Sequence, residues 1–293
     1  MILLSFDFIR SIFEFSFMRY AIIAGLIVGV LAPLIGSVVV IRRLSFIADT
    51  LSHFSLAGVC LGVILSRLID FGMVSPTIMG VIFSIIGTFL INKLRSYYQN
   101  YKEISMPIIM SLGLALSGIF INYSSDINSK YTTSLLYGSI YSVKGNNLVL
   151  ILIISVLILA FAFFFYKQII TMCFDETYAR VSGLNVRLLE FGLTIALSLV
   201  ISLFIDIIGV LLIASLMILP IASSILIGQS FKQTLLISFI ISEISIIIGF
   251  VLSFHMNLST GPVIILINII VYLIIILIRW IRRLTIKHNK AKM

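Results

Sequence analysis

The stretch Tyr20–Ile41, YAIIAGLIVGVLAPLIGSVVVI, decides the fold because it carries no charge between Arg19 and Arg42. A helix rises about 1.5 Å per residue, so about 20 residues cross a hydrocarbon core of about 30 Å. Uncharged windows of the same length recur at 71–92, 104–125 and 145–166, and further apolar runs lie at roughly 49–66, 188–206, 208–228, 234–254 and 261–280. The sequence therefore predicts an all-α, polytopic transmembrane helical bundle with about 8–9 spans.

The composition agrees with a membrane protein and excludes a soluble enzyme. Hydrophobic residues make up 61% of the 293 residues, charged residues make up 11%, and the mean hydropathy is +1.24. Soluble domains carry about 25% charged residues, so this chain has too few to cover a water-facing surface. Its two cysteines, Cys60 and Cys173, lie far apart in unlike contexts and predict neither a disulfide framework nor a Cys-rich metal motif.

The distribution of Lys and Arg predicts the orientation. When the spans are threaded from an outside N-terminus, 15 of the 20 basic residues fall on one side. Such an excess is typical of cytoplasmic loops and predicts a multi-pass protein of a bacterial cytoplasmic (inner) membrane, in contact with membrane lipid. These residues form no aromatic-interleaved stripe, so no nucleic acid is expected as a partner. We divide the chain into an interfacial N-terminal segment (1–16), a single transmembrane domain (17–280) and a basic cytoplasmic tail (281–293).

Asp49 and His53 are the first candidate metal ligands. They are four residues apart in an apolar segment, so on a helix they lie on one face, about 40° apart. A carboxylate oxygen and an imidazole nitrogen one turn apart can hold one divalent cation. An Asp–His pair that only fixes helix packing is the alternative. Cys60 falls on the same side of the helix, but a buried free cysteine is more typical of a small core residue.

Glu243 is the third candidate metal residue because it lies in the middle of an apolar run. A charge in hydrocarbon costs several kcal/mol, so such a carboxylate must face the bundle interior or a water path. A counter-ion role, or a protonated group bonded to a serine, remains an alternative. Asp206 lies between two apolar runs and is interpreted as an outer-turn residue, and His255 at a span end as an interfacial one.

The cytoplasmic segment 167–190 predicts a short helix on the membrane face. Asp175 and Glu176 stand at its start, helix formers follow through Val181, and Gly183 comes after them. Its mixed charge is typical of a docking surface, although an ordinary connecting helix has the same pattern. The chain has no P-loop motif and no visible catalytic constellation. We therefore do not expect an enzyme, and a solute pump would need an ion gradient or a separate ATPase.

Several segments resemble the permeases of metal-transporting ABC importers, a class that serves zinc, manganese and iron. The resemblance extends over nearly the whole chain and is strongest in RRLSFIADTLSHFSLAGV (42–59), EISMPIIMSLGLAL (103–116), LYGS (136–139), FDET (174–177), GLNVR (183–187), GVLLIASLMILP (209–220) and TGP (260–262). One departure is Asn257, where many relatives have an acidic residue.

The resemblance implies a homodimeric permease, with no permanently bound cofactor, that moves a divalent metal inward. It also implies cytoplasmic ABC ATPase subunits and an extracellular metal-binding protein as partners. Asp49 and His53 match the family's in-membrane metal residues. The docking loop implied for the ATPase contains Phe174, Asp175, Glu176, Gly183 and Arg187.

The sequence leaves alternatives for the transported metal and for the energy source of transport. Because a His–carboxylate site suits zinc and oxygen-richer sites suit manganese, we favour zinc over manganese or iron. The flanking segments 101–105 and 174–177 are also similar to zinc-uptake members. A proton-coupled secondary transporter with Asp49, Glu243 and Asp206 as a relay is the alternative mechanism.

Overall fold

The computed structural model describes residues 14–68, 75–98, 100–123, 129–138 and 145–290. These residues form helices joined by short connections, with one 3-10 turn at Lys102–Ile104. The helices are α1 (Ser16–Ile41), α2 (Ile47–Leu68), α3 (Pro76–Tyr97), α4 (Ser105–Tyr123), α5 (Ser129–Tyr137), α6 (Gly145–Phe164), α7 (Tyr166–Phe174), α8 (Glu176–Val181), α9 (Val186–Ile208), α10 (Val210–Ile225), α11 (Phe231–Met256) and α12 (Thr260–Lys290). The predicted all-α transmembrane bundle is confirmed.

The number of spans is close to the prediction but not identical. Within the described ranges, seven helices are long and apolar enough to cross a membrane, and an eighth span results if α6 and α7, bent by 67°, are counted together. Helix α10 has only 16 residues, which is short for a full crossing. The prediction of up to nine spans had counted α10 as a full span. The predicted interfacial segment 1–16 lies almost wholly outside the described residues, and α12 continues the last span into the predicted basic tail.

Residues with fixed conformational preferences set several helix ends. Helix α3 begins with Pro76, whose missing N–H is no loss in a first turn. Gly209, at φ +86°, breaks the chain between α9 and α10 in a conformation that other residues rarely adopt. Asn257, at φ +51°, ends α11 in the left-handed region that asparagine tolerates.

Helix α2 is enclosed on several sides, by α3, α4, α9 and α10. A Cβ atom added to Gly113 of α4 would lie 2.9 Å from the backbone nitrogen of Phe54. Only a glycine therefore lets α4 approach α2 this closely, beside His53. The main hydrophobic core includes residues of α1, α2, α9 and α10, so α2 is a central helix of the bundle.

Contacts at the two ends of the bundle agree with the predicted threading of the spans. A Cβ atom added to Gly209 would lie 2.4 Å from the Gly138 nitrogen, and one added to Gly261 would lie 2.3 Å from the Tyr137 oxygen. The threading of the spans places all these residues at one end, the outer one. At the other end, the rings of Phe174 and Phe231, both assigned to the cytoplasmic side, lie 6.3 Å apart.

Candidate metal site and cytoplasmic coupling surface

The structure brings Asp49 and His53 together on the first two turns of α2. The Asp49 Oδ1 and His53 Nε2 atoms are 3.8 Å apart, and the two side chains are 29% and 10% exposed. Every other residue from 47 to 60 is buried, so Asp49 is the one position where this part of α2 opens outward. The predicted shared face is confirmed.

The separation of the two groups is informative. An N–H···O hydrogen bond spans about 2.7–3.2 Å, so at 3.8 Å the pair is not bonded to itself. Bond lengths of about 2.0–2.2 Å place two tetrahedral zinc ligands about 3.3–3.5 Å apart. A small side-chain rotation therefore brings both atoms to one ion. His53 Nδ1 is buried and has no hydrogen-bond partner among the described residues.

The pair is not a complete coordination site within one chain. Among the residues that the structure describes, no group of three His, Cys, Asp or Glu side chains could hold a metal ion. Glu243 lies on α11, where a Cβ atom added to Gly29 of α1 would be 2.6 Å from its Oε1 atom. That Oε1 atom is buried and has no hydrogen-bond partner in the described structure. Glu243 is thus an inward-facing carboxylate that stands apart from Asp49 and His53.

Of the remaining candidates, Cys60 and His255 are described by their contacts and Asp206 by its position on α9. Cys60 is fully buried in the main hydrophobic core, which confirms its interpretation as a core cysteine. The Nδ1 atom of His255 is 2.8 Å from the Val251 oxygen, one turn back on α11. Asp206 lies near the end of α9, just before the break at Gly209.

The predicted short helix on the cytoplasmic side is confirmed as α8. The Asp175 carboxylate accepts a hydrogen bond of 2.9 Å from the Tyr178 N–H and thereby caps the helix. Gly183 follows at φ +79°, which turns the chain toward α9. A small separate core of Met172, Ala179, Val186 and Leu189 holds α7, α8 and the start of α9 together.

The outward face of this unit is apolar as well as charged. Phe174, Tyr178, Val181 and Leu188 are all exposed there. Asp175 and Arg187 are exposed too, whereas Glu176 is half-buried. Exposed apolar side chains rimmed by charges are typical of a protein interaction site. The five residues named for ATPase docking thus lie on or beside one compact surface, although Arg187 is already on α9.

The sequence analysis missed the contacts of Arg42, which joins this surface to the end of α1 and lies shortly before α2. Its guanidinium donates to the Glu176 Oε2 atom at 3.3 Å and also to the Glu190 carboxylate. Arg42 directly follows α1, shortly before Asp49 on α2. The sequence does contain a signal for such ion pairs, since Glu176 and Glu190 are two of the few acidic residues on a side rich in Lys and Arg. Pairing them with Arg42 required knowledge of the fold.

The chain is similar to known membrane proteins of metal transport systems over most of its length. The chain is 28% identical over 270 residues to the "Probable metal transport system membrane protein" of Treponema pallidum, covering 92% of this chain and 98% of that protein. It is 26% identical to the "Manganese transport system membrane protein MntC" of Listeria monocytogenes, covering 91% of this chain and 92% of that protein. The solved structure "PsaBC from Streptococcus pneumoniae in complex with Fab" superposes with a TM-score of 0.80 at 25% identity, covering 92% of this chain and 94% of that one.

The family match decides the class of protein. Residues 14–279 match the model of the ABC 3 transport family, so the resemblance inferred from the motifs is confirmed. This membership also decides against the proton-coupled secondary transporter. The chain belongs to the ABC 3 transport family and is a multi-pass permease of the inner membrane that serves a metal-transporting ABC importer, rather than an enzyme.

Proposed function

We propose that this permease imports zinc, with Asp49 and His53 holding the ion as it passes. The observation that carries the proposal is the separation of 3.8 Å between the carboxylate and imidazole atoms, in a stretch of α2 (47–60) that is otherwise buried. Desolvating these groups is costly unless a cation or a hydrogen bond compensates. A passing divalent ion would supply that compensation for both groups at once.

The choice of zinc depends on the donor atoms. Imidazole nitrogen with a carboxylate suits zinc, whereas manganese prefers sites built from oxygen. The printed names of the relatives do not favour zinc, since one says manganese and the other only metal. Manganese and iron are therefore the alternatives that the experiment must distinguish from zinc.

We further propose that the working permease is a homodimer. Zinc usually takes four ligands, and one chain offers two in the pair on α2. A second copy related by a two-fold axis would add another Asp49 and His53 and complete the set. Purified permease should then bind one ion for every two chains.

The partners follow from the importer class. The exposed Phe174, Tyr178 and Val181, together with Asp175 and Glu176, offer a surface for a cytoplasmic ABC ATPase subunit. An extracellular metal-binding protein would deliver the ion at the outer end of the bundle. Glu243 would line the path away from the pair, since its buried oxygen lacks a partner in the described structure.

Metal uptake by a deletion strain tests the substrate and the site together. Wild-type permease, with its ATPase and binding protein, should restore growth in zinc-depleted medium and take up radioactive zinc. Asp49→Ala and His53→Ala should each abolish that uptake while the complex still assembles in the membrane. Ser52→Ala is the matched control, because Ser52 lies on the same helix and, within the described residues, its hydroxyl bonds only the Ala48 carbonyl one turn back.

Two results would contradict the proposal in different ways. Rescue by manganese or iron but not by zinc would replace the metal and keep the site. Normal uptake by the His53→Ala protein would instead restore the packing interpretation of the pair.

A further inference from the structure

A groove of 590 Å³ opens between the cytoplasmic ends of α3 and α9. It is separate from the Asp49–His53 pair, because neither residue lines it. Two cations, two aromatic rings and two isoleucines line its length: Lys93, Arg187, Phe89, Phe191, Ile85 and Ile195. Both rings are well exposed, and both cations are exposed.

The two helices line the groove with the same kinds of side chain in the same order. On α3, Ile85, Phe89 and Lys93 follow one another every four residues. On α9, Arg187, Phe191 and Ile195 do the same in the opposite chain direction. Residues four apart share a helix face. From the cytoplasmic end inward, each wall therefore changes from cation to aromatic ring to aliphatic side chain.

This order matches the depth profile of a lipid monolayer. Lys93 lies in the last turns of α3, and Arg187 is the second residue of α9. At about 1.5 Å per residue, Lys93 lies about 10 Å and Arg187 about 15 Å from the middle of their helices. A hydrocarbon core about 30 Å thick ends about 15 Å from its centre, so Arg187 lies at the headgroup edge and the long side chain of Lys93 can extend to the same level. On each helix the ring and the isoleucine lie nearer the centre, at acyl-chain level.

The positive charge of the groove is not neutralised by neighbouring acidic side chains within the described residues. Neither Lys93 nor Arg187 is in an ion pair within the described part of the chain. Glu190 also lines the groove, but its carboxylate accepts a hydrogen bond from Arg42. Asn92 adds an exposed amide donor at the same level. An anion placed between the two cations would therefore meet attraction from both walls.

We propose that this groove holds an anionic phospholipid of the cytoplasmic leaflet. Lys93 and Arg187 bind its phosphate, and Phe89, Phe191 and the two isoleucines line its acyl chains. Basic pockets between helices on the cytoplasmic side favour anionic headgroups in this way. The charge and the polarity gradient both favour a lipid as the occupant. An apolar face of a second protein chain would place no anion between Lys93 and Arg187.

Native mass spectrometry of the full permease with its ATPase, extracted from membranes, tests this assignment. The complex is reconstituted in nanodiscs of phosphatidylcholine with a minority of phosphatidylglycerol, and retained lipid is counted. Lys93→Gln/Arg187→Gln should weaken retention of phosphatidylglycerol roughly fivefold for each cation and about 30-fold for both. Lys93→Arg/Arg187→Lys keeps both charges and should retain the lipid.

Lys167→Gln/Lys232→Gln is the matched control, because it removes two exposed cytoplasmic cations outside the groove. Equal loss of phosphatidylglycerol in both double variants would show a general surface effect and overturn the site. Unchanged retention in Lys93→Gln/Arg187→Gln would overturn it as well. Loss of ATPase binding without loss of lipid would assign Arg187 to docking alone. Cross-linking of Lys93→Cys to Phe191→Cys between two copies in membranes would show that a second chain fills the groove and would overturn the lipid assignment.

Discussion

Replacing Arg42 by alanine should uncouple ATP hydrolysis from metal transport. Arg42 links three parts of the molecule: the end of α1, the short helix α8 through Glu176, and the start of α9 through Glu190. Helix α2 begins at Ile47, five residues after Arg42, so a movement of α8 would be passed toward α2 through this side chain. The movement itself would come from the ATPase that we propose docks on α8.

The size of the effect follows from the exposure of the three side chains. Arg42 is 16% exposed, Glu176 41% and Glu190 37%. Fully exposed ion pairs contribute about 0.2–1 kcal/mol each, while hydrogen bonds to charged groups contribute about 1.5–3 kcal/mol. Because both glutamates are partly screened by solvent, we expect about 1–2 kcal/mol for the two bonds together. That free energy corresponds to a factor of about 5–30 in the population of the linked arrangement.

The assay is transport into proteoliposomes that contain the complete importer, with ATP hydrolysis followed in parallel. In the Arg42→Ala protein, hydrolysis should continue while metal transported per ATP falls roughly 5–30-fold. Arg43→Ala is the control, because Arg43 is the exposed neighbour and makes no ion pair among the described residues. Equal coupling ratios in the Arg42→Ala, Arg43→Ala and wild-type proteins would refute the reasoning. So would an Arg42→Ala complex that has lost its ATPase altogether.

The remaining predictions concern docking, the ion path and helix packing. Asp175→Lys/Glu176→Lys should reduce co-purification of the ATPase roughly tenfold, through reversed charge and a lost helix cap, and undiminished co-purification would place the docking surface elsewhere. Glu243→Gln should lower metal uptake roughly tenfold at normal expression, because it keeps the side chain's shape but removes its charge, and wild-type uptake would take Glu243 out of the path. Gly113→Ala should destabilise the permease by about 1–3 kcal/mol in thermal unfolding, because its Cβ atom would lie 2.9 Å from the Phe54 nitrogen. Gly118→Ala on the same helix meets nothing within 4 Å and should not destabilise it.

Features that depend on local sequence could be predicted well. Apolar windows long enough to span a bilayer predicted the spans, because no other environment accepts such runs. The capped helix α8 could be predicted from Asp175, Glu176 and Gly183, since caps act within a few residues of one another. The shared face of Asp49 and His53 follows from helical periodicity alone. The short helix α10 was harder, because Gly209 interrupts an apolar region without a change in composition.

Features that depend on packing between distant helices could not be predicted. Arg42 and Glu190 are separated by 148 residues, and nothing in either local segment specifies that they meet. Glu243 was placed correctly in an apolar helix, yet its neighbour Gly29 became known only from the contact of α11 with α1. Periodicity gives the face of a residue on its own helix but does not give the helix that this face meets.

The position of α2 explains how the Asp49–His53 pair and Arg42 could act together in transport. The helix is enclosed closely enough that Gly113 has no room for a side chain beside His53, so α2 cannot move independently of its neighbours. The segment that leads into α2, in contrast, is held by charges at the cytoplasmic surface, where Arg42 donates hydrogen bonds to Glu176 and Glu190. Ion pairs at a partly exposed site are weak enough to exchange partners during a cycle, whereas a close-packed core is not. If Asp49 and His53 hold the ion as proposed, work done by an ATPase on α8 would reach them as a shift of the whole packed helix, which changes access to the ion without moving the two side chains apart.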